Sequence, residues 1–207
     1  MTSVVLFGIG SPVIVEIEES LDRAGVRIAA GILNRPVPSW LSSDVPALNA
    51  DATPAALLSL PFLVPLFSPA NRRIAAAEAR ATGLATPFTL IDPTAIIPRR
   101  MKIAGGSYVN AGCILGGGVD IGEFNFLNRG AVVGHHVRLG AFVSIGPGAV
   151  IGGSVTIDSG ALIGAGATIL PKVAIGQNAI IGAGAVVTRD VTAGMVVTGN
   201  PARPRSD

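Results

Sequence analysis

From Ile91 to Val187 an aliphatic residue stands at every sixth position, without a gap. The series runs Ile91, Ile97, Ile103, Val109, Leu115, Ile121, Leu127, Val133, Leu139 and on through Ile145, Ile151, Ile157, Ile163, Ile169, Ile175 and Ile181. A period of six fits neither the 3.6-residue helix nor the two-residue strand. It fits a short strand followed by a tight turn, repeated many times. The residue after the aliphatic is often glycine, as at Gly116, Gly122, Gly134, Gly140 and Gly152. Four residues after it lies a small or β-branched side chain, as at Ala131, Val137, Val143 and Ala149. The expected unit has the aliphatic pointing inward, the small residue filling a corner, and glycine allowing the turn's backbone. Three such sides close one coil, so the repeat predicts a parallel β-helix of about six coils, roughly 27 Å tall. Each buried aliphatic contributes about 1.5–3 kcal/mol, so the column can support itself.

Composition agrees with stacked flat strands. Charged residues are 14%, aromatics 4%, and there are 27 glycines. The mean hydropathy of +0.60 raises the question of a membrane. The most apolar stretch, Ala55 to Phe67, is too short to span one and is interrupted by Pro61 and Pro65. No basic segment leads into a hydrophobic signal core, so a cytoplasmic location is expected, with no membrane partner. The net charge is +2 and the basic residues are scattered, which argues against nucleic acid as a partner but permits an anionic small ligand. Cys113 is the single cysteine, which excludes an internal disulfide. It falls at a corner position, where burial would make it inert.

The first 88 residues lack the repeat. Val4 to Phe7 reads as a strand, followed by Gly8-Ile9-Gly10-Ser11-Pro12. Ser11 is the expected N-cap and Pro12 the first position of a helix running to Ala24. Further strands are expected at Val26–Leu33, Pro61–Phe67 and Phe88–Ile91, with a second helix from Pro69 to Thr82 after the cap Ser68. This alternation predicts a small Rossmann-like α/β domain at residues 1–88, ahead of the β-helix at 89–207. The glycine loop is not a dinucleotide fingerprint: Val13 stands where a third glycine belongs, and Asn34 where an acidic residue would follow the second strand. Its backbone amides at a helix start still suit a phosphate or polar group.

The only two histidines are adjacent, His135 and His136, in the turn after Val133. Imidazole is the side chain suited to proton transfer near neutrality. A shared metal is not expected, because neighbouring side chains in a turn should splay and no other His or acidic cluster lies near in sequence.

The hexad resembles the signature of the left-handed β-helix acyltransferases, over about Ile91 to Arg203. The left hand comes from that resemblance alone; general crossover rules favour the right hand. Leu90-Ile91-Asp92-Pro93-Thr94-Ala95 resembles the "IHPTA" entry of a narrower group, with Asp92 where His is usual, and Gly199-Asn200-Pro201-Ala202-Arg203 resembles its "GxPAK/R" ending. That group contains sialic-acid O-acetyltransferases and nucleotide-linked amino-sugar N-acetyltransferases. The resemblance implies acetyl-CoA as acyl donor, no metal, and a homotrimer with sites between chains. It implies acetylation of a nucleotide-linked amino sugar, with O-acetylation of a sialic acid or other sugar, or a non-catalytic scaffold, as the alternatives.

By the same resemblance, His135 falls on the catalytic base and His136 on its acidic neighbour. Asn128 falls in the acceptor pocket, Ser144 on a residue touching acetyl-CoA, and Gly153 on the amide facing the thioester carbonyl. Ala165 and Ala183 fall along the pantetheine arm. Gly10, Ser11, Pro12 and Asn34 are expected to hold the nucleotide or distal part of the acceptor. Lys172, Arg189, Arg203 and Arg205 lie where the CoA 3′-phosphate is expected. Three positions depart from the pattern. His136 is no carboxylate, so either Glu123 or Asp120 from a neighbouring coil or subunit assists, or the base works unassisted. Ser144 cannot titrate. Pro65-Leu66-Phe67 stands where the group has Gly with Asn or Asp.

Overall fold

The computed structural model describes residues 2–205. The N-terminal unit is built on a parallel sheet of β1 (Ser3–Phe7), β2 (Arg27–Leu33), β3 (Ala47–Asn49) and β4 (Phe62–Leu63), in the order β3-β2-β1-β4. Its helices are α1 (Ile14–Arg23), the single turn α2 (Ala55–Leu58) and α3 (Pro69–Ala81). Alternate residues of β1 face opposite sides, as pleating requires. Val4 and Leu6 pack with Ile14, Ile17 and Leu21 of α1, whereas Val5 and Phe7 pack with Ala75, Ala76 and Ala79 of α3.

Three sequence expectations change here. Helix α1 begins at Ile14 rather than Pro12. Its N-cap is Val13, with no side-chain cap, and Ser11 contributes its carbonyl to the Ile14 N–H instead of its hydroxyl. The strand expected over Pro61–Phe67 is only Phe62–Leu63, because prolines at 61 and 65 remove ladder donors on both sides. The edge strand β3 was unforeseen: it is three residues long, mostly exposed, and carries no alternating pattern. Helix α3 starts as expected, with the Ser68 hydroxyl accepting from the Asn71 N–H.

The rest of the chain is a three-faced parallel β-helix. The first face stacks Leu90–Ile91, Tyr108–Val109, Phe126–Leu127, Ser144–Ile145, Leu162–Ile163, Ile180–Ile181 and Val196–Thr198. The second runs from Ile114–Leu115 to Val186–Val187, and the third from Lys102–Ile103 to Ala174–Ile175. The hexad aliphatics and the corner residues Ala131, Val137, Val143 and Ala149 form one continuous buried core.

The glycines work differently from the expectation. The left-handed turn position lies three residues after the aliphatic, at Gly112, Gly130, Gly148 and their equivalents, all with positive φ. The glycine directly after the aliphatic is there for space. A Cβ on Gly134 would lie 2.7 Å from the Gly153 nitrogen of the next coil, and one on Gly152 2.6 Å from the Pro171 nitrogen. Both distances are far inside van der Waals contact, so this position sets the close stacking of coils.

The N-terminal unit covers the first face. Tyr108 and Phe126, pointing outward from that face, join the core around α1, and Phe124 joins the core around α3. At the corner between first and second faces, Glu16 of α1 accepts from Asn110 Nδ2 at 2.7 Å and pairs with Arg129 at 3.1 Å. At the corner between third and first faces, Phe124 and Phe142 stack 5.3 Å apart, with Arg80 and Arg73 over their rings. The remaining corner, between second and third faces, lies opposite the covered face. Among the described residues no helix is long and apolar enough to cross a membrane.

Candidate active site

That uncovered corner carries both histidines. Residues of successive coils stack along it. The His136 N–H donates to the Gly117 carbonyl of the preceding coil, and the Ser154 N–H of the next coil donates to the His135 carbonyl. His136 occupies the left-handed turn position, φ +57, which Gly118 fills in the preceding coil and Ser154 and Lys172 in the two that follow. Both side chains are exposed.

The two imidazoles do not splay. Their Nδ1 atoms are 3.0 Å apart and their rings nearly perpendicular, at 81°. Glycines on either side make room for them. The His135 Nε2 lies over Gly153, 2.6 Å from where a Cβ would stand, and His136 lies over Gly118, whose Cβ would be 2.9 Å from Cδ2. The pair thus converges at Nδ1 and extends in opposite directions along the corner. An exposed imidazole nitrogen against a bare backbone can take a proton from a bound group.

The acids expected to assist fare differently. Asp120 lines a cavity of about 310 Å³ beside Gly118, with Arg100, Lys102 and Arg138. Glu123 belongs to another corner, where it pairs with Arg80 at 3.3 Å; within one chain it does not reach the histidines.

Ser144 departs most from expectation. It points outward from the first face but is wholly buried under α3. Its hydroxyl donates to the Phe67 carbonyl and accepts from Arg72 Nη2, so it offers no surface to a thioester. Asn128 is nearly buried at the corner facing α1, with its Oδ1 accepting from Asn110 Nδ2 and from the Arg129 N–H. Ala165 and Ala183 are exposed on that same corner, so one chain separates them from Gly153 and His135. Arg189 and Arg203 line a C-terminal cavity of about 310 Å³. Cys113 is buried as expected: its thiol donates to the Asn128 carbonyl at 3.1 Å, and burial pushes it up to about 11.

In the N-terminal unit, Gly10 and Asn34 line a cavity of about 220 Å³ with Gly8, Arg35, Asn71 and Ile74. A Cβ on Gly10 would meet the Val37 side chain, which would have to move aside. Asn34 Nδ2 donates to Glu78 Oε2 at 2.7 Å, and Arg35 to Oε1 at 2.6 Å. These two bonds, Arg35 first, hold the Glu78 carboxyl below its ordinary range. Ser11 and Pro12 lie outside the cavity wall. Arg35, Asn71 and Glu78 escaped the sequence reading because they come from a loop and a helix with no motif linking them.

Comparison with known proteins follows the same lines. The family described as bacterial transferase hexapeptide (six repeats) matches residues 154–189. No curated protein matches the chain. Among solved structures, PerB from Caulobacter crescentus, in complex with CoA and GDP-perosamine, is 28% identical with a TM-score of 0.87, covering 100% of this chain and 98% of that one. The acetyltransferase domain of PglB from Neisseria gonorrhoeae, in complex with acetyl coenzyme A, is 26% identical with a TM-score of 0.86, covering 98% of each chain. WeeI from Acinetobacter baumannii is 26% identical with a TM-score of 0.82, covering 99% of this chain and 100% of that one. The chain thus carries the bacterial transferase hexapeptide at residues 154–189 and is similar in fold, from end to end, to these solved proteins.

Proposed function

We propose that this protein transfers the acetyl group of acetyl-CoA to the amino group of a nucleotide-linked amino sugar, with His135 as general base. The observation that carries this reading is the exposed His135 Nε2 over Gly153, on a β-helix similar over its full length to PerB bound to CoA and GDP-perosamine. His135 Nε2 takes a proton from the acceptor amine as its nitrogen attacks the thioester carbonyl. The backbone at Gly153 stabilises the oxyanion that forms. When the intermediate collapses, the proton passes from His135 to the departing CoA thiolate. No acyl-enzyme intervenes, since the one thiol, Cys113, is sealed in the core.

The histidine corner faces away from its own N-terminal unit, and the Ala165–Ala183 corner lies on the other side of the second face. A donor touching both kinds of corner therefore takes one from each of two chains, which supports sites between subunits, as in the cytoplasmic homotrimer that the family resemblance implies. Residues 1–88 form the Rossmann-like acceptor domain, whose Gly10–Asn34 cavity receives the nucleotide. Residues 89–207 form the transferase domain.

The test is thiol release from acetyl-CoA against a panel of nucleotide-linked amino sugars, free amino sugars and sialic acids. Turnover confined to sugars without a free amine would replace N-transfer by O-transfer, and no turnover with any acceptor would remove the enzyme reading. His135→Ala should lower kcat about 10²–10⁴-fold.

A further inference from the structure

We propose that His136 fixes the tautomer of His135, acting as a neutral hydrogen-bond acceptor at a position where a base is more often steadied by a carboxylate. This rests on the reading of His135 as the base. Two imidazole nitrogens 3.0 Å apart share a single proton, since two lone pairs or two N–H groups would repel. Only two neutral arrangements satisfy the contact. If His135 donates, its Nδ1 carries the proton and Nε2 keeps the lone pair that a base needs. If His136 donates, His135 Nε2 carries a proton and is no base.

The reading of His135 as the base requires the first arrangement, the one that leaves a lone pair on Nε2. With His135 donating, the second proton of the pair sits on His136 Nε2. That atom lies against Gly118, which lines the cavity holding Asp120. Asp120 is the one carboxylate among the lining residues, and Arg100, Lys102 and Arg138 complete the charged groups there. In the reverse arrangement the His135 Nε2 over Gly153 would carry the proton and offer no lone pair to an acceptor. The orientation is therefore Asp120 side, His136, His135, Gly153 side, with the lone pair at the Gly153 end. When His135 takes up the acceptor's proton, the charge is shared with His136 through the Nδ1–H···Nδ1 bond, and it disappears when that proton leaves with the thiolate.

His136 is also held in a backbone conformation that suits few residues. Its φ of +57 favours glycine and asparagine. This makes two informative variants structurally safe. His136→Gly removes the ring at a corner where the coil above has Gly118. His136→Asn keeps an acceptor, its Oδ1, for the His135 Nδ1–H.

The experiment combines nitrogen-15 NMR of the histidine rings with steady-state kinetics. The chain has only two histidines, and His136→Asn leaves one, which assigns the signals. In the wild type, His135 should show a protonated Nδ1 and a bare Nε2 at neutral pH. In His136→Gly that preference should be lost and kcat should fall about 10–100-fold, with KM for acetyl-CoA nearly unchanged. His136→Asn should restore both the Nδ1–H tautomer and most of kcat. A wild-type His135 protonated at Nε2 would overturn the proposal, and so would full activity in His136→Gly. The base assignment fails separately, by an active His135→Ala variant, and leaves the NMR result readable.

Discussion

Arg72 of α3 and Ser144 of the first face are hydrogen-bonded at 2.9 Å, and both are sealed from solvent. Arg72 also donates to the carbonyls of Phe124, Val143, Leu66 and Phe67, none of them charged. Burial pushes its guanidinium down to about 9. One side chain thus ties α3 and its preceding loop to two coils of the β-helix.

Removing that clamp takes the donor from the Phe124 and Leu66 carbonyls, whereas Val143 and Phe67 keep the Phe126 N–H and the Ser144 hydroxyl. Arg72→Met should destabilise the protein by roughly 3–5 kcal/mol, read as a lowered midpoint in urea denaturation. Lysine should recover little, since a single ammonium cannot reproduce the planar fork. Ser144→Ala should cost only about 1 kcal/mol and leave KM for acetyl-CoA unchanged; a raised KM would return Ser144 to the ligand site.

Asp92 governs acid stability. It is wholly buried, and its Oδ2 accepts from Ser20 at 2.6 Å and Arg23 at 2.7 Å while Oδ1 accepts from Thr94. Burial opposes its charge, but the bonds from Arg23, Ser20 and Thr94 prevail and hold the carboxyl well below the usual range. A depressed carboxyl stabilises the fold above its unfolded pKa of about 3.9, and that contribution drains away as pH falls below it. Asp92→Asn should cost about 2–3 kcal/mol at pH 7 and flatten the loss of stability between roughly pH 4 and pH 2, measured by denaturation across that range.

The two glycine positions of the hexad should respond differently to alanine. Gly148 has open space around it, so Gly148→Ala should cost only the left-handed strain of about 1–2 kcal/mol. Gly116→Ala would place a Cβ 2.5 Å from the His135 backbone nitrogen. It should cost more than Gly148→Ala in thermal melting and also depress turnover by displacing the histidine corner. Equal effects on stability would contradict the spacing role.

The N-terminal cavity should act on one substrate only. Asn34→Ala removes a polar group from its wall and should raise KM for the nucleotide-linked acceptor about 3–10-fold, with KM for acetyl-CoA unchanged. Steady-state kinetics with each substrate varied in turn distinguishes this from a general loss of fold.

The repeat was legible because each hexad reports on itself: one inward aliphatic, one small corner, one strand pair. The same local logic placed α3, whose cap serine and proline are adjacent in the chain. The start of α1 was less legible, since Ser11 satisfies the helix through its carbonyl and the sequence does not distinguish that from a hydroxyl cap. Strand β3 was invisible because three mostly exposed residues carry no period.

The sequence by itself determined the β-helix, its length, and the placing of an imidazole pair on a turn outside the core. Only the tertiary structure decided that the N-terminal unit covers one face and leaves the histidine corner opposite, that Ser144 and Asp92 serve the seam, and that the two rings meet through Nδ1. The reason is range. A stacked coil is specified by spacings within about six residues, whereas burial at a seam depends on side chains such as Arg72 and Ser144, which lie on separate units and meet only once both have folded.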